Sequence, residues 1–570
     1  MAGESPKLLR GDRVGDDSRA APVLVIALAV AAFFSLWRLD TPLWGAEGHF
    51  AEIAREMSPP GDPFSMTIGG KPYPDKPFGS YWLILASARM AGGFSERAAR
   101  IPSALSFIAT TLVVYVLGRR TLGAREGAFA ALLFATSFRL LCFGRQASAD
   151  PQNMLAIAVG LLLVLEASEA GRWYHFPLLG VVAAVGSLMK GLPSVAVPVF
   201  VAFLWAALAR GFRWLRPAPI MAGAVLFALT LGTPFLIAYR LHGNWSPLQL
   251  LWRESVVRVT DTYDHFAPWH FYFWRQFDLL APWAVLLPAA LVFGFSKLRE
   301  RAGARPGWGL RMADQPEERR RVFPLFCYLA IFLFFNLSRS KRTYYLMPIA
   351  PFACLICAQV LLEAAQGWTL WLKRIGIGIL AAAALLGGVG AAVLGTLRLL
   401  YRTAPTELPF DGRLVPEIWL AIPVWLAAMA CLIPLGLLLL WRLVRNASPL
   451  APLLSAAALA TLMTLGVMES VRSTQASLPG FCSTVRQIVP PDETILRGDL
   501  SDAKLLFYLQ RPTIATAKEP PRFLLATSER AGELLAREPA KYLLRCRRAP
   551  NPGSRPLPPD EAYVLLERVN

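Results

Sequence analysis

Apolar runs long enough to cross a bilayer recur along this chain, at 22–38, 100–118, 126–142, 153–168, 174–190, 192–209, 217–239, 277–295, 323–338, 344–364, 375–398, 418–441 and 450–470. A hydrocarbon core of roughly 30 Å is matched by about 17–25 residues of helix. Inside lipid the backbone must satisfy its own polar groups, which restricts spanning structure to helices or closed barrels. One or two such runs suit the core of a soluble domain; thirteen do not. The expectation is a polytopic α-helical membrane protein with about 13 transmembrane helices. Hydrophobic residues make up 55% of the 570 and charged residues 17%, too little polar surface for a soluble globule of that size.

The net charge of +19 raises nucleic acid as a partner, but the basic residues are not gathered into one domain with interleaved aromatics. They cluster between spans, so no nucleic acid is expected. With residues 1–21 placed in the cytoplasm, the inside loops receive Arg119, Arg120 and Arg125, then Arg210, Arg213 and Arg216, the stretch 297–321, Lys373 with Arg374, and Arg442 with Arg445. That is the positive-inside distribution. The stretch 78–93 is short, rich in small residues and contains Arg89, and reads as an interfacial helix; counting it as a span would turn the later basic clusters outward. No small-residue cleavage site precedes Trp37-Arg38, so the first helix reads as a retained anchor. Seven cysteines show no spacing pattern, and the Cys354/Cys357 pair lies inside an apolar span, where packing is the expected role.

The domain expectation follows: a cytoplasmic tail 1–21, a transmembrane domain 22–472 with large outside loops at 39–99 and 240–276, and an outside domain 473–570. In the last, short apolar segments at 493–496, 523–526, 542–544 and 563–566 alternate with helical stretches near 502–509 and 528–537, which reads as a small α/β domain.

The reactive polar residues fall in the outside loops. PLWGAEGHFAEIAREM at 42–57 has helical spacing and fits an amphipathic helix on the membrane surface. Glu47 and His49 stand at its start, where exposed N–H groups favour anions; Glu47 as a plain helix cap is the competing reading. GGKPYPDKPFGSYW at 69–82 carries Tyr73, Asp75 and Lys76 in a proline-held turn, and GRQASADPQNM at 144–154 carries Arg145 and Asp150. An Asp-Pro turn starting the next helix is the alternative for Asp150. The third large loop holds Glu254 and Arg258 in ESVVRV and His265 and His270 in TYDHFAPWHFYFW. SRSKRTYY at 338–345 is the most informative segment, because Arg339, Lys341 and Arg342 place positive charge on the wrong side, as Lys190 does more weakly. An anion held there explains that placement, and a lipid-linked phosphate is the natural one. Binding of an anionic headgroup without catalysis remains the alternative.

With these residues in view, the chain from about residue 39 to its end resembles the GT-C glycosyltransferases of the protein-mannosyltransferase superfamily, in particular the lipid A aminoarabinose and galacturonic acid transferases. AEIAREM at 51–57, PYPDKP at 72–77, the Asp150 loop, MKG at 189–191, the 261–269 segment and the 338–345 segment fall in that family's order and spacing. The resemblance implies transfer, with inversion, from a polyprenyl-phosphate sugar to lipid A, lipopolysaccharide or another envelope acceptor at the periplasmic face of a bacterial inner membrane. It implies a monomer among membrane lipids, with the N-terminus cytoplasmic and the C-terminus periplasmic. It places catalytic roles on Asp150, Glu47 and His49, and donor phosphate on Lys76, Arg339 and Lys341. Tyr73, Asp75, Arg145, Glu254, Arg258 and His265 are further candidates. No cofactor is required by the resemblance, although in one branch a divalent metal is contacted at the positions of Asp75 and His265. One departure is plain: the carboxylate that leads the family's first loop motif is Ala46 here. A protein that binds lipid-linked sugars with altered or no catalysis is therefore the second expectation.

Overall fold

The computed structural model describes residues 8–73, 75–253, 266–303, 316–367, 369–403, 431–437, 451–475, 477–498, 500–517, 521–549, 557 and 561–569. In chain order its helices are α1 (Leu8–Leu36), α2 (Glu47–Glu56), α3 (Gly79–Met90), α4 (Glu96–Thr121), α5 (Ala124–Ala135), α6 (Phe138–Gly144), α7 (Asp150–Ala170), α8 (His175–Met189), α9 (Pro193–Trp205) and α10 (Pro217–His242). They continue with α11 (Ser246–Trp252), α12 (Phe271–Leu280), α13 (Leu287–Gly303), α14 (Pro316–Leu337), α15 (Ala350–Gly367), α16 (Thr369–Thr403), α17 (Ala451–Gln475), α18 (Leu478–Ile488), α19 (Ala503–Leu509) and α20 (Ser528–Arg537). Among the described residues seven helices are long and apolar enough to span a membrane, or eight if α5 and α6 count as one bent span. The chain is a multi-pass helical membrane protein. Most of the expected span 418–441 lies outside the described residues.

Two expected spans are interrupted. The run 126–142 divides into α5 and α6, which meet at 70°. At the break the Thr136 and Ser137 hydroxyls donate back to the carbonyls of Leu132 and Leu133, at 2.7 and 2.9 Å, a local bonding mode that competes with the helix ladder. The Phe138 N–H leaves its own helix for the Ala281 carbonyl at 2.9 Å, and Trp283 Nε1 donates to Thr136 Oγ1 at 2.9 Å. The second break lies there: in the run 277–295, α12 stops at Leu280 and a 3₁₀ turn, Trp283–Leu286, precedes α13. Each interruption supplies polar partners to the other.

The chain divides into two compact units, one of residues 1–39, 74–90 and 100–369, the other of 40–73, 91–99 and 370–570. The first outside loop is thus shared between them. In the first unit α7 packs on α8 and α9, and α8 on α10. The α8–α10 crossing depends on small residues, as helix pairs in lipid commonly do: a Cβ on Gly180 would stand 2.1 Å from the Gly223 carbonyl oxygen. The expected interfacial helix is α3, which buries Tyr81, Ile84, Leu85 and Ala88. It packs on α8, with Ser80 Oγ donating to the Met189 carbonyl at 3.0 Å.

In the second unit five strands, β3 (Ile495–Leu496), β4 (Thr513–Ile514), β5 (Phe523–Thr527), β6 (Tyr542–Arg547) and β7 (Tyr563–Arg568), form one sheet in the order β4-β3-β5-β7-β6. β3 runs parallel to β4 and β5, and β7 antiparallel to β5 and β6. A small hairpin, β1 (Thr67–Ile68) with β2 (Lys71–Pro72), belongs to the same unit.

The helix expected on the membrane surface, α2, is instead packed on both faces. It buries Glu47 and Glu52 together with Phe50, Ala51, Ile53 and Ala54, and it rests on α19, where a Cβ on Gly48 would come 2.4 Å from Lys504 Cγ. Periodicity marks the apolar side of a helix but says nothing about what covers the polar side. The segment leading into α2 is held as well, by Thr41 on Glu469 at 2.7 Å and by the Leu43 N–H on the Tyr508 hydroxyl at 2.8 Å.

Burial of Glu52 has a measurable consequence. Its carboxylate takes two hydrogen bonds from Arg55, each 2.7 Å, yet desolvation outweighs that pairing and pushes its pKa from 4.5 up to about 7. Below pH 4.5 the group is protonated whether the chain is folded or not. Between 4.5 and 7 only the folded state keeps the proton, so stability is lost as pH rises, by about 3 kcal/mol in all. Thermal unfolding of the wild type and Glu52→Gln from pH 5 to pH 8 is expected to show the variant gaining on the wild type as pH rises. A difference that does not change with pH would remove this account.

Candidate functional site

In the first unit the polar residues collect at the start of α7. Pro151 lies in its first turn, and Ala149, not Asp150, holds the N-cap position without a side-chain cap bond. Asp150 is therefore not a helix starter by its side chain: its carboxylate accepts a bond from the Lys190 ammonium. The two side chains are 14% and 10% exposed. Lys190 is the residue just after α8, where the helix C-terminus favours a cation. Its Nζ also lies 5.1 Å from the Tyr344 ring centre and 5.0 Å from that of Tyr345.

Lys76 reaches this group through the docking of α3 on α8. A Cβ on Gly79 would stand 2.8 Å from the Leu188 carbonyl oxygen, so only glycine admits the approach that carries the Asp75-Lys76 turn to the end of α8. Lys76 donates to the Asp75 carboxylate at 2.8 Å and to the Asp75 carbonyl at 3.0 Å. Lys76 and Arg342 both stand close enough to act electrostatically on Lys190. Arg342 lies over the Tyr344 ring, 5.7 Å from its centre, and donates to its hydroxyl. Three cations, Lys76, Lys190 and Arg342, thus share one end of the bundle with Asp75 and Asp150. Such a group suits a doubly charged phosphate, which guanidinium and ammonium donors complement.

Other expected residues make contacts of their own. Lys341 is 5% exposed and donates to the carbonyls of Asn336, at 3.2 Å, and Ser338. It thereby covers the open end of α14 and lies 5.8 Å from the Tyr272 ring centre. Burial lowers its pKa. Arg339 is exposed, and its carbonyl accepts the Ala267 N–H at 3.3 Å. Arg145 is 3% exposed and donates to the Phe34 carbonyl in α1, a bond that ties α1 to the end of α6. Glu254, Arg258 and His265 lie outside the described residues. Of the pair assigned to a metal by resemblance, Asp75 gives its carboxylate to Lys76 and His265 is not described, so no step below runs through a metal.

Glu47, His49 and Tyr73 belong to the second unit. Ala46 is the N-cap of α2 and offers no side-chain bond; the Glu47 carboxylate instead accepts the Trp44 N–H at 2.8 Å. This closes the turn before the helix. His49 stacks on Tyr73, with ring centres 5.2 Å apart and planes at 17°, and its buried Nδ1 has no hydrogen-bond partner among the described residues. A base or proton carrier needs such a nitrogen.

Sequence reasoning noted Lys190, Arg342 and the Tyr344-Tyr345 pair without assigning them to the site. The available signal was a lysine at the outer end of an apolar span and two tyrosines directly following the misplaced cations.

Three comparisons bear on this arrangement. Residues 75–237 match the family model described as dolichyl-phosphate-mannose-protein mannosyltransferase. An undecaprenyl phosphate-alpha-4-amino-4-deoxy-L-arabinose arabinosyl transferase of Edwardsiella ictaluri is 30% identical over 332 residues, 57% of this chain and 55% of that protein. The protein of the same name from Pseudomonas aeruginosa is 29% identical over 421 residues, 71% of either chain. The match thus spans a little over half the length of the first of these relatives. Among solved structures, ArnT from Cupriavidus metallidurans bound to undecaprenyl phosphate superimposes with a TM-score of 0.68 at 21% identity, covering 96% of this chain and 97% of that one. An oligosaccharyltransferase of Archaeoglobus fulgidus gives a TM-score of 0.51 at 11% identity, covering 92% and 69%.

Proposed function

From a chain that has the GT-C membrane fold and resembles the aminoarabinose transferases, we propose a glycosyltransferase that moves a sugar from a polyprenyl-phosphate donor to lipid A, lipopolysaccharide or another envelope acceptor. The reaction takes place at the periplasmic face of a bacterial inner membrane, with the N-terminus in the cytoplasm. The observation that carries this reading is the gathering of Lys76 and Arg342 around Lys190, which itself pairs with Asp150 at the start of α7.

Inverting transfer breaks the bond between the sugar C1 and the donor phosphate oxygen while an acceptor oxygen bonds C1 from the opposite side. The departing polyprenyl phosphate gains charge as it leaves. Its second pKa near 6 makes it a competent leaving group without a general acid, and fixed cations stabilise the charge as it develops. Lys76, Lys190 and Arg342 supply that stabilisation, and Asp75 and Asp150 hold two of them in place until phosphate arrives. A phosphate acceptor is already anionic and needs no base; a hydroxyl acceptor needs one, the role that the sequence reading gives to Glu47 and His49. With Ala46 in place of the expected carboxylate, the phosphate acceptor is favoured.

Deleting the gene and comparing lipid A and envelope-glycan mass spectra tests the function, and unchanged spectra in both would overturn it. Complementation with Lys76→Ala is expected to leave the deletion phenotype in place while the protein accumulates at the wild-type level. The Ala46 substitution favours one second reading, a protein that binds lipid-linked sugar without turning it over. Purified protein that retains polyprenyl-phosphate sugar but transfers to no envelope acceptor would decide for it.

A further inference from the structure

We infer that Cys482 and Cys546, in the C-terminal part of the second unit, are joined by a disulfide bond in the mature protein. The inference rests on the placement of that part at the periplasmic face, a compartment in which disulfides form and persist. Both residues stand as thiols in the structure, and the case for joining them is the way the sheet turns one toward the other.

The two faces of the sheet are told apart at β7. Val564 and Leu566 pack against Ala531 of α20, with Tyr542 of β6 beside them. Successive residues of a strand point to opposite faces, so Tyr563 and Leu565 look the other way. There the Tyr563 ring meets Phe481 of α18, with centres 6.5 Å apart. α18 therefore covers that second face, where it packs on β6 and buries a stripe of Leu478, Phe481, Cys482 and Val485. Residues directly opposite in an antiparallel pair share a face. Leu544 of β6 stands opposite Leu566, on the α20 side, and a regular ladder would set Cys546 opposite Val564 on that same side. A bulge intervenes: one extra residue shifts the register, and Cys546 stands opposite Leu565, on the side of α18. A disulfide needs Cβ vectors that face one another, and the bulge supplies this. Two residues on, Arg548 Nε donates to Ser477 Oγ at 3.1 Å, which fastens the end of β6 to the N-cap of α18. From that tie Cys546 is about 7 Å back along the strand and Cys482 about 7.5 Å along the helix. The two thiols are close enough to act on each other electrostatically.

Closure breaks two S–H bonds and makes one S–S bond. Two electrons and two protons pass to the disulfide of a protein oxidant in that compartment, which is left as a dithiol. The thiolate is the attacking species, and burial pushes the Cys482 thiol up to about 12, so closure belongs to the folding of the domain, before α18 is packed. β6 is an edge strand, paired only with β7, and the bond staples that edge to α18.

The test maps the full wild-type chain, so no variant has to fold. Cells are lysed in excess N-ethylmaleimide, which caps thiols before they exchange. The protein is purified in detergent, digested with pepsin at acid pH without reductant, and mapped by mass spectrometry. A peptide pair holding Cys482 and Cys546 is expected, two hydrogens lighter than its two thiol peptides together and lost on reduction. In parallel, alkaline phosphatase fused after Asn570 reports the side of the membrane, because its own disulfides form only outside the cytoplasm. Maleimide on both cysteines with an active fusion overturns the pairing and leaves the placement standing. Maleimide on both with an inactive fusion overturns the placement and the disulfide with it. Either cysteine linked to a third one refutes the pair.

Discussion

Lys190→Ala is expected to lower transfer from a polyprenyl-phosphate sugar by at least about 10²-fold, the usual consequence of removing one fixed group that stabilises developing charge. Lys190 holds the central position of the cluster. It is the residue that contacts Asp150, lies over both Tyr344 and Tyr345, and feels the charges of Lys76 and Arg342. Its removal also leaves the Asp150 carboxylate, only 14% exposed, without its cation, so lost folding and lost chemistry must be separated. Asp150→Asn/Lys190→Met removes both charges together and is expected to melt near the wild-type temperature while staying inactive. Binding of polyprenyl phosphate, followed by quenching of the nearby tyrosines, should weaken in both variants. Normal turnover in a stably folded Lys190→Ala protein would remove the phosphate from this cluster.

The largest expected effect on stability lies at the other end of α7. Glu169 and Arg319 are 4% and 3% exposed and form a two-point pair at 3.0 and 3.1 Å. Removing one member of a buried pair typically costs about 3–5 kcal/mol, because the remaining charge is left in a poor solvent. Glu169→Ala is expected to fall in that range, since it takes from the buried Arg319 its two-point carboxylate partner. Arg319→Met should cost less, because Arg320, 43% exposed, still reaches Glu169 at 3.6 Å. Replacing both, as Glu169→Leu/Arg319→Met, should recover most of the loss. Thermal unfolding in detergent of the three variants ranks them, and equal losses from the two single changes would contradict the pairing described.

Much of the fold was legible because lipid imposes a length and a composition on each span, and α4, α7, α10 and α14 fall on apolar runs that any hydropathy reading finds. The breaks at Thr136-Ser137 and after Leu280 were not. A uniformly apolar run carries no period to interrupt, and the signal was a pair of hydroxyl residues with an ordinary role elsewhere. The candidate site was half legible. Asp150 and Lys76 stood out as charges in outside loops, but Lys190 looked like a weak exception to a topology rule until Asp150 was placed against it. For Arg145 and Lys341 the charge was legible but not what it touches. A charge in an outside loop is also what a helix end needs, and both are occupied with carbonyls, of Phe34 in one case and of Asn336 and Ser338 in the other. Sequence alone does not distinguish a cation that serves a ligand from one that serves the backbone.

The exchange between the two interrupted runs bears on how this chain is made. Phe138 finds its hydrogen-bond acceptor at Ala281 and Thr136 finds Trp283, so more than a hundred residues separate each group from its partner in the order of synthesis. While the ribosome translates that interval, an N–H at the corner between α5 and α6 has no partner in hydrocarbon, a state that costs several kcal/mol. The corner is therefore expected to stay within reach of water, at the insertion channel or the membrane surface, until residue 281 has emerged, and only then to sink to its final depth.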